Sequence, residues 1–193
     1  MTTLLLGLMI FLGAHSVRIV AEGWRERRIA QFGALPWKAA YSLVSVVGLV
    51  MIIKGYDAAR GVSATLYAPP GGLQLVTLVL MLPALILLVA AYVPQTRIKA
   101  LVGHPMFLSV KVWAFAHLLA NGRVVDLLLF GAFLLWAVFG YRAAKIRDRA
   151  AGTVYVAGPW SRDALAIGIG ALLWVGLVFG LHEWLTGVPL GPA

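Results

Sequence analysis

The chain has 193 residues, of which 62% are hydrophobic and 12% are charged. Soluble domains are about 45–50% apolar, so this composition excludes an ordinary soluble domain and predicts an integral membrane protein. At about 20 residues per span, the length suits a single domain of five or six spans with no separate soluble domain. The chain has no cysteine, which excludes disulfides, thiolate metal ligands and cysteine nucleophiles.

The net charge is +9, from sixteen Lys and Arg residues against seven Asp and Glu residues. The basic residues lie between apolar runs, where they orient membrane spans and contact the anionic headgroups of membrane lipid. The connections are too short to hold a module that reads a nucleic-acid groove. We therefore predict lipid, and no nucleic acid, as a partner of the basic residues.

The apolar runs predict an all-α transmembrane bundle that forms one domain over residues 1–193. Because no Lys or Arg precedes Arg18, the first run is interpreted as a retained span and not as a cleaved signal. Residues 21–32 predict an amphipathic helical extension, and residues 54–72 predict the longest loop. The predicted spans are residues 2–20, 35–53, 73–93, 104–120, 124–141 and 164–184.

His15 is the first candidate functional residue, because an ionisable group at bilayer depth is costly without a partner or a role. Phe11, His15 and Arg18 are spaced by three or four residues and share one helical face. We expect this face to point into the bundle. The third span has no Asp, Glu, His, Lys or Arg within residues 73–93, and we expect it to face lipid.

His117 in the fourth span is the second candidate. A neutral imidazole is a good ligand for haem iron or another transition metal. Trp113 and Asn121 flank His117 at four residues on either side, and together they could surround an axial ligand. The alternative for both His15 and His117 is a packed histidine that is hydrogen-bonded to a neighbouring helix.

Other polar residues near span ends have simpler interpretations. His104, followed by Pro105, opens the fourth span and is typical of an interfacial helix start. Lys111 is expected to extend its ammonium group towards an interface or to pair with a buried acceptor. His182 and Glu183 are expected to be interfacial polar residues.

Three motifs resemble the NnrU family of bacterial membrane proteins: FLGAHSVR in the first span, YSLVS in the second and GHPMFLSVKVWAFAHLLANG across the fourth. The resemblance implies an inner-membrane protein linked to nitric oxide and nitrite metabolism in denitrification. The family is similar to zeta-carotene isomerase, a membrane protein whose histidines hold haem b and which isomerises an apolar polyene. This similarity implies haem b as the cofactor, with His15 and His117 as iron ligands and His104 as a further candidate.

The predicted topology places a constraint on these ligands. The first and fourth spans run in opposite directions, so at 1.5 Å per residue His15 and His117 differ in depth by roughly 9 Å. Two axial ligands of one iron must lie on opposite sides of it. The pair of His15 and His104 is therefore an alternative.

Three classes of function follow. The first is a haem protein that carries out redox chemistry or isomerisation on a small or apolar ligand. The second is a non-enzymatic assembly or regulatory partner of a respiratory complex. The third is a membrane methyltransferase of the isoprenylcysteine type, which also carries His-Pro near a span start. That type pairs the motif with two adjacent glutamates, and this chain has no adjacent acidic pair.

The distribution of basic residues predicts the topology. Connections after the first, third and fifth spans carry twelve Lys and Arg residues, whereas the opposite side carries Lys54, Arg60 and Arg123. The positive-inside rule places the twelve in the cytoplasm and both termini outside. A reporter fused after Ala193 should therefore be active only if it works outside the cytoplasm. Activity of a cytoplasm-dependent reporter at this position would contradict the six-span topology.

Overall fold

The computed structural model describes residues 1–188 and residue 190, so Ala193, to which the topology prediction refers, lies outside the described residues. These residues form helices joined by short connections, which confirms the predicted all-α bundle. The α-helices are α1 (Thr2–Val20), α2 (Glu22–Phe32), α3 (Ala34–Arg60), α4 (Gly72–Tyr92), α5 (Arg97–Val102), α6 (Pro105–Ala120), α7 (Val124–Ala151), α8 (Trp160–Gly176) and α9 (His182–Thr186).

Among the described residues, five helical segments are long and apolar enough to cross a membrane. They are α1, α3, α4, α7 and the segment from Trp160 to Thr186. The fourth predicted span, α6, has 16 residues and is shorter. At 1.5 Å per residue it is about 24 Å long, against about 30 Å of bilayer hydrocarbon.

Two helices extend beyond their predicted spans because tertiary contacts stabilise their polar ends. The second span continues to Arg60, and in its added turns the Tyr56 hydroxyl donates a 2.7 Å hydrogen bond to Asp126 Oδ1. The fifth span continues to Ala151, so the basic segment 142–151 is helical and not a loop. Gly152 then ends the helix in the left-handed conformation, at φ 62°.

The last predicted span is divided. It begins at Trp160, four residues earlier than predicted, and is α-helical to Gly176. A π-helical turn over Leu177–Leu181 follows, in which Gly180 has a φ of 124° that a residue with a side chain rarely adopts. The short helix α9 therefore starts after a break, and is not the end of one continuous span.

The helices pack in the order α3, α1, α7, α6, α4, α8. We call the end that holds Val20, Pro105 and Ala151 the basic end, and the opposite end, where the segment 61–71 joins α3 to α4, the loop end. At the basic end, Arg147 Nη1 of α7 donates a 3.1 Å hydrogen bond to the carbonyl of Arg18 in α1. The order places α7 between α1 and α6.

The expectation that the third span faces lipid is wrong in part, because α4 lies between α6 and α8. The Ser109 hydroxyl of α6 donates a 2.7 Å hydrogen bond to the carbonyl of Ala84, and Ala84 is 1% exposed. The Trp174 indole of α8 donates a 2.8 Å bond to the carbonyl of Leu78. A span without acidic, basic or histidine side chains still offers carbonyls to its neighbours, because polar side chains inside a membrane form hydrogen bonds with the acceptors they can reach.

The closest helix packing joins α1 and α3, where glycines remove side chains from the contact. A Cβ atom at Gly7 would lie 2.7 Å from the backbone nitrogen of Ile52. A Cβ atom at Gly48 would lie 2.8 Å from the backbone nitrogen of Phe11. Small residues allow two helix backbones to approach closely in a membrane. This contact fixes the position of Phe11, one turn before His15.

The substitution Gly48→Ala should destabilise the bundle, because the new methyl group meets backbone that cannot move independently. We expect a loss of about 1–3 kcal/mol in the free energy of unfolding, as for other overpacked sites. The thermal denaturation midpoint in detergent measures it. The matched control is Gly13→Ala in α1, where a Cβ atom meets nothing within 4 Å. Equal midpoints for the two variants would contradict this packing.

Candidate histidine sites in the bundle

His15 points into the bundle, as predicted, and lies among aromatic side chains. Its ring stacks on Phe11 with 4.1 Å between centroids, and the rings of Tyr41 and Trp136 lie 5.1 Å and 6.0 Å away. The carbonyl of Phe11 lies 2.7 Å from His15 Nδ1. A carbonyl can only accept, so Nδ1 carries the proton and Nε2 of the neutral ring keeps its lone pair. Arg18, expected on the same inward face, is exposed and pairs with Glu22 at 3.2 Å.

His117 has the same local arrangement on α6. Its Nδ1 lies 2.8 Å from the carbonyl of Trp113, so Nε2 of the neutral ring again keeps its lone pair. The ring stacks on Phe130 of α7 at 4.7 Å and lies 5.2 Å from the Trp113 ring. Asn121 donates from Nδ2 to the carbonyl of His117 at 2.8 Å. The predicted flanking residues thus hold the His117 backbone and ring in place.

The structure does not bring His15 and His117 together. His15 lies against Trp136 of α7 and His117 lies against Phe130, six residues earlier, which is about 9 Å along the helix axis. Phe133 occupies the level between them, with its ring 5.8 Å from Phe11 and 5.5 Å from Trp113. The depth difference predicted from the sequence is therefore present, and α7 separates the two rings.

Trp136 is a residue that the sequence analysis did not single out. Its indole N–H is buried and has no hydrogen-bond acceptor among the described residues. A buried donor without a partner costs about 1–3 kcal/mol and indicates a missing acceptor or an aromatic face in its place. Trp136 also lines an apolar groove of about 620 Å³ between α1 and α7. Tryptophan is common in membrane spans, so the sequence does not distinguish this side chain. Only the folded structure shows that its N–H lacks an acceptor among the described residues.

His104 belongs to a separate polar cluster at the basic end. Its Nε2 lies 2.8 Å from Asp148 Oδ2, and the Tyr155 hydroxyl lies 3.1 Å from the same oxygen and 3.3 Å from His104 Nε2. A carboxylate accepts, so Nε2 donates and its lone pair is not available to a metal. The cluster joins the start of α6, the end of α7 and the segment 152–159.

Burial raises the pKa of Tyr155 above its ordinary value, and the hydrogen bond to Asp148 raises it further. Below the ordinary tyrosine pKa the hydroxyl is fully protonated and the contact is complete. The stabilisation is lost as the pH rises through the raised value, because two adjacent anions then repel each other. The cluster is therefore intact at neutral pH.

The segment 61–71 covers the loop end near His117. The backbone nitrogen of Leu66 donates a 2.7 Å hydrogen bond to the carbonyl of Gly122, and the Tyr67 hydroxyl donates a 2.8 Å bond to the carbonyl of Asn121. Arg60 Nη1 donates a 2.8 Å bond to the carbonyl of Thr186, which ties α9 to the end of α3. The end of α6 at the loop end is thus closed by contacts with a loop and a short helix.

Within the described residues, no three His, Asp or Glu side chains converge as a metal site would require. The helical geometry with two inward histidines defines a polytopic, helical-bundle membrane protein with half-buried imidazoles. The family model described as NnrU protein matches residues 3–190, and the chain belongs to this family. No curated protein and no solved structure matches the chain. The similarity to zeta-carotene isomerase stays a prediction.

The substitution Asp148→Asn should release the segment 152–159, because it weakens the hydrogen bonds of His104 and Tyr155 together. Losing hydrogen bonds to a charged group costs about 1.5–3 kcal/mol, so amide exchange in this segment should accelerate roughly tenfold or more. Hydrogen–deuterium exchange with mass spectrometry measures this. Asp57→Asn is the control, since the Asp57 side chain is 72% exposed. Equal exchange in both variants would show that the cluster does not hold the segment.

Proposed function

We propose that this protein binds haem b inside the membrane through the Nε2 atom of an intramembrane histidine. The observation that carries the proposal is shared by His15 and His117. In each, Nδ1 donates to the carbonyl four residues earlier, and Nε2 makes no hydrogen bond among the described residues. A backbone acceptor on one ring nitrogen fixes the tautomer and orientation of a histidine that binds a metal through the other.

The donor chemistry of each histidine fits haem iron, but the pair does not fit one iron. Two axial nitrogens lie on opposite sides of the same metal atom, whereas α7 and the Phe133 ring lie between these imidazoles. His104 does not replace either residue, because its Nε2 donates to Asp148. Ligation by one histidine at a time is therefore the arrangement we propose.

His15 is the preferred ligand because of its surroundings. The Trp136 ring lies 6.0 Å from the His15 ring, and its indole N–H, which has no acceptor among the described residues, is available to donate to an oxygen atom of the bound group. Trp136 also lines the groove of about 620 Å³, which lies next to the face of α1 that carries His15. His117, by contrast, is stacked on Phe130 below a closed loop end. A bound group and an apolar ligand could therefore both approach α1 from the membrane.

When bound, haem supplies one-electron redox chemistry and a coordination position for a small molecule. The chain would contribute orientation and exclusion of water. Phe11 and Tyr41 restrict rotation of the His15 ring, and the apolar side chains of α1 and α7 keep the groove dry. The substrate classes we propose are nitric oxide, in line with a role in denitrification, and an apolar polyene that enters from the bilayer.

The absorbance spectrum of the full chain, purified in detergent from haem-replete cells, tests the proposal. The wild-type protein should show a Soret band that shifts on reduction. The His15→Ala variant should lose most of this band, since the iron loses its protein ligand. Trp136→Phe should keep the haem and shift the band, because only the N–H donor is removed.

His182→Ala is the control, since its half-buried imidazole lies outside α1 and has its Nδ1 2.8 Å from the carbonyl of Val188. It should retain the wild-type spectrum. If His117→Ala abolishes the band and His15→Ala does not, the ligand is His117. A wild-type protein without a Soret band would refute haem binding. Equal loss in His15→Ala and His182→Ala at equal protein yield would refute specific ligation.

A further inference from the structure

We propose that the outer face of α7 at the basic end binds the phosphate headgroup of an anionic phospholipid. Side chains of this face form a groove of about 470 Å³. Its lining consists of two arginines, a lysine, a tyrosine and an isoleucine: Tyr141, Arg142, Lys145, Ile146 and Arg149. The combination of clustered cations with an aromatic and an aliphatic side chain matches a ligand that has an anionic head and an apolar tail.

The three cations share one face of α7 because they are spaced by three and four residues. Among the described residues, no carboxylate lies within salt-bridge distance of Arg142, Lys145 or Arg149. Two acidic side chains of the basic end pair with other residues. Asp148 pairs with His104 at 2.8 Å, and Glu22 pairs with Arg147 at 3.1 Å. The groove therefore presents three cations that form no salt bridge among the described residues.

The position of the groove along α7 coincides with the headgroup layer. Arg142 follows Val124 by 18 residues, about 27 Å along the axis, and Arg149 follows it by about 37 Å. The hydrocarbon core is about 30 Å thick, and the headgroup layers extend the bilayer to about 40–45 Å. With the start of α7 at one hydrocarbon boundary, the cations lie at and just beyond the other.

Lys111 of α6 places a fourth positive charge beside the groove. Its ammonium nitrogen lies 4.2 Å from the centroid of the Tyr141 ring, which lines the groove. Tyr141 is itself held by a 3.0 Å hydrogen bond from its hydroxyl to the carbonyl of Val102. The lysine that the sequence places within the fourth span is thus directed towards this face of α7.

A lipid is the occupant that fits this place, because its phosphate is fixed at the depth of the cations. Arginine can bind a phosphate through two parallel N–H groups, and basic pockets beside membrane helices select anionic over zwitterionic headgroups. The acyl chains of such a lipid would extend along the apolar lipid-facing part of α7. The position of the groove relative to the bilayer would give no advantage to a soluble phosphate or to an acidic protein.

The test uses the full chain in neutral detergent, titrated with phosphatidylglycerol or phosphatidylcholine, with bound lipid counted by native mass spectrometry. The wild-type protein should bind phosphatidylglycerol more tightly. The variant R142Q/K145Q/R149Q should bind it roughly 100-fold more weakly, since each cation near an anionic surface contributes about fivefold. The control R25Q/R27Q/R28Q removes the same charge from α2 and should change binding less than threefold. Helical circular dichroism and size-exclusion profiles verify that both variants fold.

Three outcomes would overturn the proposal. Equal weakening in the two triple variants would mean that the lipid responds to overall charge and not to this groove. Displacement of phosphatidylglycerol by millimolar inorganic phosphate would mean that the groove takes free phosphate. An acidic protein retained by the wild type and lost in R142Q/K145Q/R149Q, with lipid binding unchanged, would identify a protein surface.

Discussion

Phe133 of α7 packs against Phe11 of α1 and Trp113 of α6, and this contact sets the distance between the two intramembrane histidines. Each of these two residues lies one helical turn before a histidine, and its carbonyl accepts a hydrogen bond from the Nδ1–H group of that histidine. The same aromatic packing therefore spaces the imidazoles and fixes their tautomers. Because α1 is anchored to α3 through glycine contacts, Phe11 cannot shift without moving a helix backbone.

The two ends of the bundle use polar groups differently. At the loop end the polar groups pair within the chain, as Tyr56 does with Asp126 and Arg60 with the carbonyl of Thr186. At the basic end only some cations find acidic partners, since the chain has sixteen basic and seven acidic residues. In the arrangement we propose, this surplus lies at the depth of the lipid headgroups, where the bilayer supplies the missing anions. The excess of basic residues at this end is therefore stabilised by its position next to the lipid headgroups.

Much of the fold could be predicted from hydropathy, since a bilayer demands long apolar helices and leaves few alternatives. The inward direction of His15 also followed from helical spacing and the cost of burying an ionisable group. The extension of α3 to Arg60 could not be predicted, because its polar last turns depend on Asp126, which is 70 residues from Tyr56 in sequence. The break at Gly180 could not be predicted either, since glycines also occur in unbroken membrane helices.

The sequence by itself determined the class of protein, the family, the helix content and the two histidines that lie at bilayer depth. The class, the helix content and the histidines follow from local composition and from periods of three to four residues, and the family follows from the resemblance of three motifs. Only the tertiary structure decided that α7 separates His15 from His117, that His104 is engaged by Asp148, and that the Trp136 N–H has no acceptor among the described residues. These facts depend on which helices pack against each other. Side-chain packing decides this, and hydropathy carries no information about it.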